Sequence, residues 1–151
     1  MADYPDQAHH GDLPLKKRED VFRGICINVN RFPVTQDDTK YHEFFASVQQ
    51  YNPSALMIQE PGINWNAIQP DQYLSHVAQE HLAPDQAQAY TAHNLHSGTN
   101  DRCQWGGTAI ISHGDICQNS MGGGSDLMGL GRWCWVRYQG KGDIILRVVS
   151  A

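Results

Sequence analysis

The stretch Val21-Phe22-Arg23-Gly24-Ile25-Cys26-Ile27-Asn28-Val29 is rich in apolar and β-branched residues and is bounded by polar sequence, so it reads as a buried strand ending in Asn28-Val29-Asn30. Beyond it, Tyr41, Phe44, Phe45 and Val48 recur at i, i+3, i+4 and i+7. That spacing predicts a helix from about Asp38 to Tyr51 with one apolar stripe, Asp37 or Asp38 near its start and Asn52-Pro53 as its stop. A second apolar run, Ala55-Leu56-Met57-Ile58, follows at once and turns at Gln59-Glu60-Pro61-Gly62. Strand, helix, strand is a βαβ-like order, as in an α/β fold.

Outward from this unit, Pro70 opens a second helix in which Tyr73, Leu74, Val77 and His81 share a face, and Pro84 ends it. The pattern then changes to strands: Ala87 to His93, Gly107 to Ser112, Trp133 to Tyr138 and Asp143 to Ser150, separated by Gly, Asn, Ser and Asp clusters. Gly140-Lys141-Gly142 predicts a hairpin between the last two. Within Trp133 to Tyr138, Trp133, Trp135 and Arg137 alternate with Cys134, Val136 and Tyr138, as in a sheet packed on at least one side. Gly122-Gly123-Gly124 and Gly129-Leu130-Gly131 match no phosphate-binding glycine motif at any register and read as flexible loop. Met1 to Asp20 shows neither helical nor strand periodicity and reads as a disordered arm, with Lys16, Lys17 and Arg18 as a solvated cluster. The sequence stops inside the apolar run Ile144 to Ser150, which points to a truncated domain.

With 151 residues and 40% hydrophobic content the chain can bury one core, so a single globular domain from residue 21 onward is expected. Its formal charge of −5 supplies no long-range field to gather a polyanion, which leaves only local Lys and Arg for that task. Cys26, Cys103, Cys117 and Cys134 form no CxxC pair and no secretory signal opens the chain, so reduced thiols, mostly packed in a core, are expected. No apolar run approaches the roughly 20 residues needed to span a bilayer. The sequence thus reads as that of a soluble, intracellular protein with no membrane partner.

Chemistry concentrates at two strand ends. Asn28 and Glu60 each fall at the carboxyl end of an expected strand, the edge of an α/β sheet where ligand groups converge. Amide and carboxylate oxygens are hard donors suited to Mg²⁺, with Mn²⁺ as an alternative, because Mg²⁺ keeps several waters and takes few protein ligands beside a substrate phosphate. The plainer alternative is that Asn28 and Asn30 form a turn while Glu60 is a solvated loop acid. His93 and His96, three apart, would need two further nitrogen or sulfur ligands to make a structural zinc site, and no cysteine pair stands at such spacing. His9, His10 and His113 lack an acidic partner of matching motif and are not read as a catalytic base. Arg102 and Arg132 lie in glycine-rich connections and read as ordinary exposed arginines.

The strings Ile27-Asn28-Val29-Asn30-Arg31-Phe32 and Leu56-Met57-Ile58-Gln59-Glu60 resemble the first two motifs of the endonuclease/exonuclease/phosphatase superfamily. Trp105-Gly106-Gly107-Thr108-Ala109-Ile110-Ile111-Ser112 resembles its glycine-led strand, and Arg147-Val148-Val149-Ser150-Ala151 the strand before its Tyr-x-Pro segment. The order and content are most similar to endonucleases of non-LTR retrotransposons and to apurinic/apyrimidinic endonucleases. The resemblance implies the first half of a four-layer sandwich, two packed β-sheets with flanking helices. It also implies Glu60 as the main Mg²⁺ ligand, Asn28 beside the same ion, Asn30 close to the scissile phosphate, and Gln59 supporting the site by hydrogen bonding. DNA would be the partner of the complete domain, with the nucleus as one intracellular location open to it. The family's His–Asp pair and other late catalytic segments would follow Ala151, so the resemblance implies that this chain alone is inactive and needs the missing half. Within the same scaffold an inositol phosphate, a phospholipid or poly(A) is an alternative substrate. A third alternative is a non-catalytic remnant or binding domain.

Overall fold

The computed structural model describes residues 16–33, 39–70, 73–82, 86–98 and 100–151. Strand β1 (Gly24–Asn28) leads to helix α1 (Thr39–Gln49) and strand β2 (Ala55–Gln59), and β1 and β2 pair in parallel with Asn28 opposite Gln59. Tyr41, Phe45 and Val48 are the buried stripe of α1. Asn52 ends the helix in the left-handed region, its N–H bonded to Gln49 O at 3.0 Å, and Pro53 follows. The acids expected at the start of the helix, Asp37 and Asp38, lie outside the described residues. Helix α2 (Leu74–His81) buries Leu74, Val77 and Ala78. Tyr73, expected on that face, instead stands before the first helical residue and is exposed.

Strands β3 (Ala87–Ala92) and β4 (Thr108–His113) complete a first sheet in the order β1-β2-β4-β3, with β4 antiparallel to both neighbours. One face, carrying Ile25, Ile27, Leu56, Ile58, Ala109 and Ile111, packs on the two helices. The other, carrying Ala55, Met57, Tyr90, Ala92 and Ile110, packs on a second sheet. Burial on both faces explains why β2 and β4 read as continuous apolar runs rather than as alternating ones.

The second sheet consists of β5 (Ser120–Ser125), β6 (Cys134–Gln139) and β7 (Ile145–Ser150), antiparallel in that order. Cys134, Val136, Tyr138 and Val148 face the first sheet. The hairpin at Gly140 closes through Gly140 N–H to Ile144 O at 2.7 Å, as its glycines suggested. Polar ties join the layers. Ser112 and Tyr138 share a hydrogen bond of 2.5 Å, and Ser150 Oγ donates to Ile58 O at 3.2 Å. The buried Tyr138 hydroxyl is pushed up to about 12 by desolvation and stays protonated. The chain is therefore α/β with two packed sheets. Among the described residues helices cover only the first sheet, and the outer side of β7 exposes Ile145 and Val149.

Three expectations are corrected. Gly122-Gly123-Gly124 lies in β5 rather than in a flexible loop, and a Cβ on Gly123 would come within 2.4 Å of the Tyr90 ring, so glycine here permits close approach. Gly129 and Gly131, by contrast, lie in a connection as expected, with Leu95 N–H bonded to Gly129 O at 2.7 Å. Of the four free cysteines only Cys117 and Cys134 are buried, because Cys26 lies on an edge strand and Cys103 in a connection. Lys17, assigned to the arm, donates from Nζ to Ser54 Oγ at 2.6 Å, while residues 1–15 lie outside the described residues. No helix among the described residues is long and apolar enough to cross a membrane.

Candidate metal and phosphate site

Parallel pairing puts the carboxyl ends of β1 and β2 side by side, and the ladder continues beyond them. Val29 N–H donates to Gln59 O at 3.1 Å, Arg31 N–H to Glu60 O at 2.8 Å and Phe32 N–H to Pro61 O at 2.9 Å. Asn28, Asn30 and Glu60, distant in sequence, thus stand on adjoining tips of one sheet edge, all exposed. The antiparallel partner β4 begins at the same edge, where Glu60 N–H bonds Gly107 O at 3.1 Å.

The tips are bent against backbone preference. Asn30, Arg31 and Glu60 have φ of 44°, 72° and 54°, three of the four non-glycine residues with positive φ among those described. A left-handed conformation costs a non-glycine residue roughly 1–2 kcal/mol and persists where surrounding contacts impose it. Two such contacts are visible. Asn28 Oδ1 accepts from Asn30 N–H at 2.9 Å, an Asx turn. Lys40, in the first turn of α1, donates from Nζ to the carbonyls of Val29, Asn30 and Arg31.

The donors fit a hard cation. Asn28 Oδ1 has a second lone pair free of the Asx turn. None of the ion pairs among the described residues involves Glu60. No group of three or more His, Cys, Asp or Glu positioned to hold a metal is found among the described residues, so a cation here would rely on water and phosphate for its remaining ligands. Gln59 Nε2 donates to Ala151 O at 2.9 Å rather than to Asn28 or Glu60, tying the end of β7 to this edge.

The histidines are dispersed. His113 ends β4 at the opposite end of the sheet, with Nδ1 3.3 Å from Pro53 O, and burial lowers its pKa. His93 follows β3 at the same edge as Glu60 but two strands away, roughly 10 Å at the usual strand spacing. Its Nε2 is buried without a partner, and desolvation lowers its pKa. His96 Nε2 sits 3.0 Å from Met128 O. Arg132 is held by Asp126 at 3.0 Å rather than free, and Arg102 is exposed.

No family model and no curated protein matches this chain. The geometry of this edge therefore stands beside the motif resemblance as the basis for a functional reading.

Sequence reasoning missed two features here. Lys40 carried a usable signal, because a cation in the first turn of a helix opposes the helix dipole and implies a partner elsewhere. Trp105 carried another: it precedes Gly106-Gly107 in a connection, where an indole has no strand face to pack on, and it is 81% exposed. The Arg31 guanidinium lies 3.7 Å from its ring centroid.

Proposed function

We propose that this chain carries the magnesium-holding part of a phosphodiester hydrolase, and that the complete domain is a DNA endonuclease of retroelement type. The observation that supports this reading most is the register of β1 on β2, Asn28 opposite Gln59, which brings an amide oxygen and the Glu60 carboxylate to adjoining strand tips. The motif resemblance supplies the reaction class, since hard oxygen donors at a sheet edge occur in many proteins.

In this reading Glu60 supplies the anionic ligand and Asn28 orients beside it. Asn30, held in its turn by Asn28 and Lys40, lines the approach of the phosphate. A bound Mg²⁺ would neutralise charge growing on the phosphoryl oxygens and the leaving group. Hydrolysis also needs a base for the attacking water. The sole His–carboxylate ion pair among the described residues is His76–Glu80 at 3.3 Å, on the exposed side of α2. Binding of the ion without turnover is therefore expected of this chain.

The test is thermal unfolding with Mg²⁺ or Mn²⁺. At ten times the dissociation constant, binding to the folded state stabilises by about 1.4 kcal/mol, or about 3–6 °C in Tm for a domain of this size. Glu60→Gln is expected to abolish the shift. An unchanged Tm in the parent chain, or an equal shift in the variant, would leave the remnant reading in its place. Hydrolysis of duplex DNA by this chain with Mg²⁺, lost in Glu60→Ala, would overturn the expected inactivity.

A further inference from the structure

We propose that Trp105 and Arg31 form a stacking platform for an unpaired nucleobase next to the phosphate held at Glu60, which narrows the substrate to a nucleic-acid strand with an exposed base. The proposal rests on the reading of this edge as a phosphodiester site.

The pair is built into the bent tips. Arg31 N–H is bonded to Glu60 O at 2.8 Å, and its carbonyl is one of the three that Lys40 holds, so the point from which its side chain leaves is fixed. The side chain passes over Gly62, where a Cβ would fall 2.6 Å from Arg31 Cγ. Gly62 N–H bonds Gly106 O at 3.0 Å, which brings the Trp105 connection alongside Glu60. The guanidinium then covers one side of the indole at 3.7 Å. With Trp105 81% exposed, its other face is open. An indole covered by a fixed cation on one side and bare on the other is a poor solution for folding, since it leaves a large apolar surface in water.

Ligand chemistry follows from what lies together. A planar apolar face beside a permanent cation and hard oxygen donors matches a unit that has both a flat ring and a phosphate, which a nucleotide has. An inositol phosphate or phospholipid headgroup carries the phosphate but no planar ring. Within a duplex both faces of each base are covered by neighbours, so only an unpaired, terminal or flipped base can use the indole. The Arg31 guanidinium, on a residue whose N–H is bonded to Glu60 O, is placed to meet the adjoining backbone phosphate.

The test is fluorescence anisotropy of two labelled single-stranded oligonucleotides of equal length and charge, one with bases and one abasic throughout, with the divalent ions chelated. The base-bearing strand should bind about fivefold to a hundredfold more tightly, the range that stacking on one aromatic side chain gives. Trp105→Ala should erase that preference. Trp105→Phe should keep part of it. Equal binding of the two strands, binding of neither, or a preference that survives Trp105→Ala overturns the platform. A preserved base preference with no Tm response to Mg²⁺ would sink the metal reading alone, whereas a Glu60-dependent Mg²⁺ response without base preference would sink the platform alone.

Discussion

The two ends of the four-stranded sheet contrast sharply. At the end carrying Ser54, polar groups satisfy one another: Ser54 Oγ takes Lys17 Nζ at 2.6 Å and Arg23 N–H at 3.2 Å, while His113 N–H donates to Ser54 O at 3.0 Å. At the other end Asn30, Arg31 and Glu60 are held in left-handed conformations, and an exposed indole sits among them. Among the described non-glycine residues the first end holds one left-handed residue, the helix-ending Asn52, and the second holds three, so strain is concentrated at the second although both are built from the same strands. The difference teaches where stability and chemistry reside: the strained end persists because a well-packed sheet holds its strands in register behind it.

Breaking the settled end should cost most. Ser54→Ala removes the buried acceptor shared by Lys17 and the Arg23 N–H, and a loss of about 1–3 kcal/mol is expected in urea unfolding. The Tm response to Mg²⁺ should survive, and its loss would mean the two ends are not separable.

Relieving the strained end should have a smaller effect of opposite sign. Glu60→Gly removes the penalty of φ 54°, partly offset by the greater freedom of glycine in the unfolded chain. Stability should stay level or rise by up to about 1 kcal/mol, with the Mg²⁺ response gone. A marked destabilisation would show that the bend at Glu60 is not strained.

The smallest effect concerns Asp126, whose loop reaches this edge through Leu95 and His96. Its carboxylate accepts from Arg132 Nε at 3.0 Å and from Met128 N–H at 2.9 Å, and the Arg132 hydrogen bond is the main reason its pKa is lowered. A lowered folded pKa gives stability that is fully present above the ordinary carboxylate value near 3.8 and is lost as pH falls through the lowered one. The urea midpoints of the parent and Asp126→Asn should thus differ at neutral pH and converge in acid. A gap that does not narrow would remove the ion pair from the account.

Much of the fold was legible because its signals are local. The i, i+4, i+7 stripe of Tyr41, Phe45 and Val48 fixed α1, and the apolar runs fixed β1, β2 and β4. Their βαβ-like order around α1 agrees with the parallel pairing of β1 and β2. β5 was illegible because its glycines are a strand-breaking composition, and two of them, Gly123 and Gly124, are selected by contacts with Tyr90 and Trp135 from other strands. At the site, the type and place of Asn28, Asn30 and Glu60 could be read, since a strand end is a local event. The partners of Lys40, Gln59 and Arg31 could not, because each lies on a different element brought near only by the completed sheets.

The second sheet has unlike borders. On β5 the glycines offer an incoming strand few side chains to pack against, whereas β7, an edge strand among the described residues, presents Ile145 and Val149 with Arg147 between them. Such an edge is a template for strand addition, and a lone charge in its middle is the usual guard against it. Concentrated solutions of this chain should therefore self-associate first along β7, and salt, by screening Arg147, should hasten the process.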